Sequence, residues 1–245
     1  FDRVYFNQKR REFNALMGEV NGKNILVVST GIGTDNIDIV INELDALLNV
    51  DFKTRKVKAK KSKINFLRLG TSGTIRDDIP LDSFVASQYA IGLDSLLHFY
   101  QRETKADLLE LQSSVNKTLK KCGIASPCYV TYGDDKMLKK LDKSVIKGIT
   151  VTLPGFYGPQ ARMVRGQIRS IDFIDKLSSI SHNHIPITNF EMETSGIYGL
   201  SNLFGHKALS LSAIIAQRVK GEFSKNPQKS IQKLVKYGIE MMAEK

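Results

Sequence analysis

The sequence lacks any apolar run long enough to cross a membrane, and it contains only two cysteines. No uninterrupted apolar stretch approaches the roughly 18 residues that a membrane-spanning helix requires. The opening FDRVYFNQKRREF lacks the apolar core of a signal peptide. Cys122 and Cys128 match neither zinc-knuckle nor redox-pair spacing, so we expect two buried thiols in a reducing environment. These absences predict a soluble, cytoplasmic protein with no membrane partner.

Acidic residues are too few to balance the basic ones. The 245 residues include 36 Lys plus Arg against 25 Asp plus Glu, which gives a formal net charge of +11. One concentrated run, KTRKVKAKKSK at 53–63, has no aromatic residues interleaved with it. We interpret this run as a solvated loop and expect no nucleic-acid partner. The alternative from another functional class is a basic nucleic-acid-binding protein, because lysines and arginines neutralise backbone phosphates.

Hydrophobic periodicity alternates between strands and helices along the whole chain. Strands are predicted at 24–30, 64–69, 83–91, 128–133, 148–158, 185–190 and 207–219. Helices are predicted at 37–48, 105–121, 170–180, 191–206 and 231–245. This order predicts an α/β protein, a three-layer α/β/α sandwich around a mixed central sheet, in a single domain spanning 1–245. Ligands of such proteins bind where strands end in loops and helix starts.

The stretch LRLGTSGTI is the first candidate for chemistry. A strand delivers Arg68 into glycine-rich residues that we interpret as a turn, with the hydroxyls of Thr71 and Ser72 facing the same space. A guanidinium, hydroxyls and backbone N–H groups are the donors that suit an oxyanion such as phosphate. Ser and Thr beside glycines also form turns without binding anything. No Lys follows the last glycine, so the stretch is not a P-loop.

The stretch GFYGPQAR offers groups that suit a planar ligand. Phe156 supplies a flat ring, and Gln160 and Arg162 would point to the same side of an extended segment. Gln both donates and accepts hydrogen bonds whereas Arg only donates. The pair can therefore read a heterocycle edge that carries a carbonyl, an N–H and another carbonyl. A loop with an exposed Gln and Arg and no ligand is the alternative.

Two later stretches place charged side chains at strand ends. Glu191 and Glu193 in NFEMET stand where a strand meets a helix, and helix capping explains at least one of them. A carboxylate at such a corner is also suited to accept hydrogen bonds from two vicinal sugar hydroxyls. Arg218 ends the apolar strand AIIAQ and adds a cation at the same edge. The four histidines lack metal-ligand spacing, so we assign them no metal.

In this order, these stretches resemble the nucleoside phosphorylase family, in particular its uridine phosphorylase branch. The resemblance covers most of the chain, as RREF, STGIG, RLGTSG, FYGPQAR, EMET and IIAQR. It implies that inorganic phosphate, as co-substrate, cleaves the N-glycosidic bond of uridine to give uracil and ribose 1-phosphate, without a further cofactor. It also implies a homodimer as the smallest active unit, assembled into a homohexamer.

The resemblance implies a role for each matching residue. The phosphate ligands are expected to be Arg68, Thr71, Gly70 and, from the neighbouring subunit, Arg11. The ribose ligands are expected to be Met192, Glu193 and Thr71. The base ligands are expected to be Phe156, Gln160, Arg162, Ile214, Ile215 and Arg218. The residues that carry catalysis are expected to be Arg162, Gln160, Glu193 and Arg68.

Three departures from the family pattern refine these expectations. Purine-specific relatives carry an Asp on the late strand, and SAIIAQR has no acid, which favours a pyrimidine. A purine nucleoside phosphorylase and a hydrolytic nucleosidase of the same fold are the alternatives. The Gly-Asp-Pro motif that opens the family is absent, so we expect an N-terminal segment to be missing. Some relatives bind potassium near the equivalents of Glu12 and Ile32, but Asn36 replaces the required Ser, so we expect no metal.

Overall fold

A computed structural model describes residues 1–244 of the chain. The strands are β1 Arg3–Arg10, β2 Phe13–Val20, β3 Lys23–Val28, β4 Val50–Asp51, β5 Lys56–Val57, β6 Asn65–Thr74, β7 Phe84–Gly92, β8 Tyr129–Tyr132, β9 Ile146–Thr152, β10 Ser181–His182, β11 Ile185–Glu191, β12 Lys207–Gln217 and β13 Glu222–Phe223. The α-helices are α1 Thr34–Asn49, α2 Leu109–Lys121, α3 Asp135–Lys139, α4 Phe173–Ser178, α5 Thr194–Phe204 and α6 Pro227–Ala243. Short 3₁₀ helices span Leu96–Phe99, Ala106–Leu108 and Gly158–Gln160.

The central sheet is mixed, and the predicted α/β fold is confirmed. Its strand order is β13-β12-β6-β11-β9-β7-β8, with β10 paired to β11. The pairs β12/β6, β11/β9 and β7/β9 are parallel, whereas β11/β6 and β7/β8 are antiparallel. β12 also pairs antiparallel with β7, which closes five strands into a ring. This closure goes beyond the open sheet that alternating strands and helices predict.

Helices cover both faces of this sheet. The apolar stripe of α1, with Ile37 and Ile41, packs with α5 against one face. On the other face, α2 and α4 pack over one end of the sheet, and α6 packs over β6 and β12 at the other end. Cys122 and Cys128 are free and buried, as predicted. Within residues 1–244, no helix is both long and apolar enough to span a membrane.

The first predicted strand does not belong to the central sheet. It forms β3, which pairs with β2 and through it with β1 in a separate three-stranded antiparallel sheet. Two tight turns explain the difference, because Arg11 adopts φ 53° between β1 and β2, and Asn21 and Gly22 adopt φ 51° and 76° between β2 and β3. These turns join each strand to its sequence neighbour. The chain still passes from β3 through a glycine loop into α1, as predicted.

The basic run forms an exposed projection at the end of α1. β4, which precedes the run, pairs with β5 inside it, and residues 52–63 are exposed throughout. The exposure agrees with a solvated surface segment. α1 begins at the glycine loop and ends at this projection. The length of the helix therefore separates the basic run from the glycine loop.

Candidate functional site

The predicted site residues come together from distant parts of the chain. β6 carries Arg68, and β12 runs parallel beside it with Ser210 opposite Arg68 and Ser212 opposite Gly70. β11 contacts the far end of β6 and passes directly into α5. Arg68 and Glu193 are 125 residues apart in sequence, and the sheet brings them into direct contact.

Arg68 lies in a buried cluster of charges. Its Nη2 is 2.7 Å from Glu193 Oε2 and 3.3 Å from Glu191 Oε2. Its Nη1 donates a hydrogen bond to Ser212 Oγ at 3.3 Å. Burial works against the guanidinium charge, but the two carboxylates outweigh it, so the pKa of Arg68 is raised. The structure therefore joins the expected phosphate cation to the expected ribose carboxylate.

The two acids of NFEMET have different partners. Glu191 ends β11 and accepts hydrogen bonds from the backbone N–H groups of Glu193 at 2.9 Å and Thr194 at 2.8 Å. The predicted capping is thus confirmed for Glu191. Glu193 makes no side-chain cap bond to α5, and its Oε1 instead accepts from the Gly33 N–H at 2.9 Å. Its carboxylate therefore lies between the glycine loop and Arg68.

The glycine-rich stretch after Arg68 is a strand, so the predicted turn is wrong. β6 runs without a break to Thr74, because β12 pairs with it along its full length and overrides the turn tendency of its glycines. Side chains of a strand alternate, so the prediction that Thr71 and Ser72 face the same space is also wrong. Ser72 is buried, and its hydroxyl donates to the Phe190 carbonyl at 2.6 Å.

β6 nevertheless offers backbone groups next to Arg68. β11 pairs with β6 only at Gly73 and Thr74, so among the described strands the earlier part of that backbone edge has no partner. Gly70 lies over the Arg68 guanidinium, because a Cβ built on it would come within 2.6 Å of Arg68 Cζ. The absence of a side chain at Gly70 is therefore required for the observed position of the cation. Thr71 is half-buried on the opposite face of the strand.

The loop after β9 turns sharply, so the predicted extended geometry for Gln160 and Arg162 is wrong. The 3₁₀ turn Gly158–Gln160 contains Pro159, and Ala161 has φ 53° in the left-handed region. The turn still joins the two side chains, because Arg162 Nη1 donates to Gln160 Oε1 and, at 2.9 Å, to the Phe156 carbonyl. The Arg162 guanidinium also lies 3.9 Å from the centroid of the Phe156 ring.

Arg218 joins the end of β12 to this loop. Its Nη2 donates to the Gln160 carbonyl at 2.6 Å, while its buried Nη1 has no hydrogen-bond partner among the described residues. Burial and the nearby charge of Arg162 lower the pKa of Arg218 to about 10. A cavity of about 140 Å³ lies here, lined by Arg218, Ala161 and Asp175 with apolar side chains around them. Arg218 thus lines this cavity and also keeps one buried N–H group without a partner among the described residues.

Three further expected ligands differ in the surface that they offer. Met192 and Ile215 are half-buried and retain exposed surface. Ile214 is fully buried and packs with Ile79 and Val85 in a small core cluster. Of the two isoleucines, Ile215 alone therefore has surface to offer a base.

The residues that match potassium ligands of some relatives do not form an open site. Glu12 packs beside the glycine loop, with its Cγ 3.4 Å from the position that a Cβ on Gly31 would occupy. The Asn36 side-chain amide donates to the Ile32 carbonyl at 3.1 Å, and potassium would need that same oxygen. Residues 1–244 hold no cluster of three or more His, Cys, Asp or Glu side chains that suits a metal ion. The residues present do not fit potassium, and no step below uses it.

A third carboxylate near the start of α5, half-buried, was not among the predicted site residues. Asp94 lies two residues after the end of β7, and its oxygens accept from Tyr129 OH at 2.6 and 2.7 Å and from Ser195 Oγ at 2.8 Å. Burial raises the pKa of Tyr129 well above its usual value, and the Asp94 charge adds to the effect. An acid three residues after a predicted strand, in the loop that follows it, was the signal that would have marked Asp94. Arg11, by contrast, lies exposed at the β1–β2 turn.

Comparison with known families identifies what this arrangement resembles. The sequence model of the Phosphorylase superfamily matches residues 2–242. A uridine phosphorylase of Thermococcus kodakarensis is 27% identical over 237 residues, which covers 96% of this chain and 73% of that protein. A DeoD-type purine nucleoside phosphorylase of Bacillus velezensis is 24% identical over 212 residues, which covers 84% of this chain and 69% of that protein.

A solved structure extends the similarity to the fold. The crystal structure of a Trypanosoma brucei nucleoside phosphorylase, described as showing uridine phosphorylase activity, aligns with a TM-score of 0.86 at 26% identity. The alignment covers 99% of this chain and 85% of the other. The order of strands and helices that frames Arg68, Glu193 and the loop after β9 thus matches a nucleoside-cleaving enzyme.

Proposed function

Because this chain belongs to the Phosphorylase superfamily, we propose that it is a pentosyltransferase that splits uridine with inorganic phosphate into uracil and ribose 1-phosphate. One observation carries the choice of base. Arg162 bonds the Gln160 side chain and lies over the Phe156 ring. These groups form a wall with a flat apolar surface and several hydrogen-bonding groups, which suits a planar ring with polar edges.

The phosphate and ribose subsites share the Arg68 cluster. Arg68 binds the anion, and the free backbone edge at Gly70 and Thr71 supplies further donors. Glu193 accepts hydrogen bonds from the ribose hydroxyls, since its oxygens have further lone pairs beyond those used by Arg68 and Gly33. Met192 and, through its backbone, Thr71 complete the contacts to the sugar.

The base subsite lies beside the loop after β9 and the end of β12. The Gln160 amide N–H₂ and the Arg162 guanidinium donate to the uracil carbonyls, while Phe156 and Ile215 contact its faces. Ile214 supports Ile215 from the core. Arg218, bonded to the Gln160 carbonyl, places a second positive charge near the same ring. Two arginines beside one ring favour a leaving group on which negative charge develops.

The reaction proceeds through a transition state with oxocarbenium character at the ribose. Phosphate held by Arg68 attacks the anomeric carbon as the bond to the uracil nitrogen breaks, so the bonding electrons leave with the base. The phosphate anion stabilises the positive sugar, and Arg162 with Gln160 stabilises the charge that spreads onto the uracil carbonyls. No covalent intermediate with the protein is required.

The end of β12 favours a pyrimidine over a purine. A purine leaves more easily when an acid protonates its ring nitrogen, and the stretch SAIIAQR offers no such donor. Uracil departs without this proton when cations stabilise its carbonyl oxygens, and Arg162 and Arg218 supply them. Similarity alone does not decide the base, because uridine- and purine-cleaving relatives are about equally distant.

A direct assay tests the substrate and the reaction type. The purified protein is incubated with uridine or inosine, each with and without phosphate, and free base and ribose 1-phosphate are quantified. We expect uracil and ribose 1-phosphate from uridine only when phosphate is present. Hypoxanthine as the main product would favour a purine phosphorylase, and base release without phosphate would identify a hydrolase.

We also propose that Arg11 completes the phosphate site of a neighbouring subunit, in a homodimer that forms the unit of a homohexamer. Arg11 is exposed at the β1–β2 turn, where a second copy can reach it. Mixing inactive Arg68→Met and Arg11→Ala proteins tests this, because half of randomly exchanged dimers are mixed and each mixed dimer holds one complete site. Activity should recover to about a quarter of wild type. Activity that stays absent after subunit exchange contradicts the proposal.

A further inference from the structure

Glu191 is the most completely engaged side chain in the site, although the proposed reaction gives it no substrate to bind. Its side chain is 2% exposed. One oxygen accepts from Thr152 Oγ1 at 2.6 Å, and the other accepts the backbone N–H groups of Glu193 and Thr194 at 2.9 and 2.8 Å. The second oxygen also lies 3.3 Å from Arg68 Nη2.

These contacts tie together the two groups that flank the reacting bond. Arg68 Nη2 lies between Glu191 and Glu193, so the cation is shared by two carboxylates rather than held by one. The same Glu191 oxygen fixes the backbone of Glu193 at the start of α5. One buried carboxylate thus sets both the position of the Arg68 cation and the position from which Glu193 extends.

We propose that Glu191 is a positioning residue, which acts by holding Arg68 away from full pairing with Glu193 and so keeps the Glu193 carboxylate available to the sugar. This inference rests on the proposed nucleoside phosphorolysis. Glu191 itself has no surface left for a substrate, and its hydrogen-bond partners are all donors. Thr152 donates to it, because the Thr152 oxygen already accepts the Ser195 N–H at 2.9 Å.

Loss of the Glu191 charge should therefore lower activity by making Glu193 less available to the sugar. With Glu191→Gln, Arg68 has one carboxylate partner instead of two, and a guanidinium pairs with a single carboxylate through two parallel hydrogen bonds. That pairing would occupy the Glu193 oxygens that the sugar hydroxyls need. Direct loss of Glu193 removes the same oxygens, so the two changes should not add.

A double-mutant cycle measures this dependence. The variants are Glu191→Gln, Glu193→Gln and the double variant, with kcat and KM for uridine measured at saturating phosphate. We expect Glu193→Gln to lower kcat/KM about 100-fold and Glu191→Gln about 30-fold. The double variant should fall within threefold of Glu193→Gln alone. The proposal would be overturned by a double variant whose loss of kcat/KM equals the product of the two single losses. A Glu191→Gln enzyme with kcat/KM within threefold of wild type would also overturn it.

Two further variants separate positioning from general damage. Glu240→Gln changes an exposed carboxylate on α6 and should keep wild-type kinetics. Thr152→Val removes the donor to Glu191 while keeping the carboxylate, so it should lower kcat/KM several-fold. As with Glu191→Gln, this loss should not multiply with the loss caused by Glu193→Gln. If Glu191→Gln fails to fold, the cycle is run with Thr152→Val, and additive losses there overturn the proposal.

The wild-type result separates this inference from the proposed function. If wild type cleaves inosine rather than uridine, the choice of base fails, and the same cycle with inosine still tests Glu191. Wild-type turnover combined with additive losses overturns only the role of Glu191. A wild-type protein that cleaves neither nucleoside with phosphate overturns both.

Discussion

Replacing Arg68 with methionine should destabilise the protein by a large and pH-dependent amount. The substitution keeps an unbranched apolar stem but removes the cation between Glu191 and Glu193, whose side chains are 2% and 11% exposed. Breaking a buried ion pair by removing one partner costs about 3–5 kcal/mol, because a charge is left uncompensated. We expect a loss in this range near neutral pH, together with loss of phosphate-dependent activity.

The sign of the pH dependence follows from Glu191. Burial already raises the pKa of Glu191, with Arg68 acting in the opposite direction, so removing Arg68 raises it further. A carboxyl with a raised pKa in the folded state holds its proton longer than in the unfolded state. Stability then falls as pH rises from the unfolded value near 4.3 through the folded one, by up to about 1.4 kcal/mol per pH unit. The penalty for Arg68→Met should therefore be smaller at pH 5 than at pH 8.

Urea unfolding at pH 5 and pH 8 measures this difference. Arg76→Met is the matched control, because Arg76 pairs at 2.8 Å with Asp78 at the surface, where such a pair is worth about 1 kcal/mol or less. We expect the Arg68→Met penalty at pH 8 to exceed that at pH 5 by at least about 1 kcal/mol. A penalty equal at both pH values, or no larger than that of Arg76→Met, would refute the reasoning.

Three other substitutions test separate parts of the site. Arg162→Ala should raise the activation free energy of uridine turnover by about 2–4 kcal/mol, while the affinity for phosphate stays nearly constant. Turnover within threefold of wild type contradicts a role for Arg162 at the base. Gly70→Ala should abolish most activity and also lower the free energy of unfolding, because its Cβ would displace the Arg68 guanidinium from Glu191 and Glu193; unchanged steady-state kinetics contradict this. Tyr129→Phe removes the hydroxyl that bonds Asp94 and should lower the free energy of unfolding by about 2 kcal/mol, as thermal and urea unfolding will measure.

The sequence predicted most of the central sheet because burial imposes a strong pattern on its strands. β7 and β12 are covered on both sides, so their near-continuous apolar runs identified them. The first sheet was harder, because β1 is exposed along its whole length and has no apolar periodicity to detect. Its one local signal was Asn21-Gly22, the dipeptide typical of a tight hairpin turn.

The site was predictable in its residue types but not in its contacts. Arg68 and Glu193 were both candidates, yet nothing in their separate motifs predicts that they pair directly. The glycines of LRLGTSG indicated a turn, and only the long pairing with β12 keeps that segment extended. The role of Glu191 depends on donors from β6, β9 and α5, which only the folded structure brings together.

The balance of charge in the two halves of the site bears on the proposed dimer. The proposed base half contains two arginines, and the charge of Arg162 helps to lower the pKa of Arg218, so this half favours an acceptor-rich ring. The proposed phosphate half contains one arginine and two carboxylates within 3.3 Å of it, which leaves a net negative charge when both acids are ionised. A phosphate anion binds poorly against such a charge unless further cations approach it. Arg11 of a second copy would supply one, so the charge balance within a single chain independently favours a shared phosphate site.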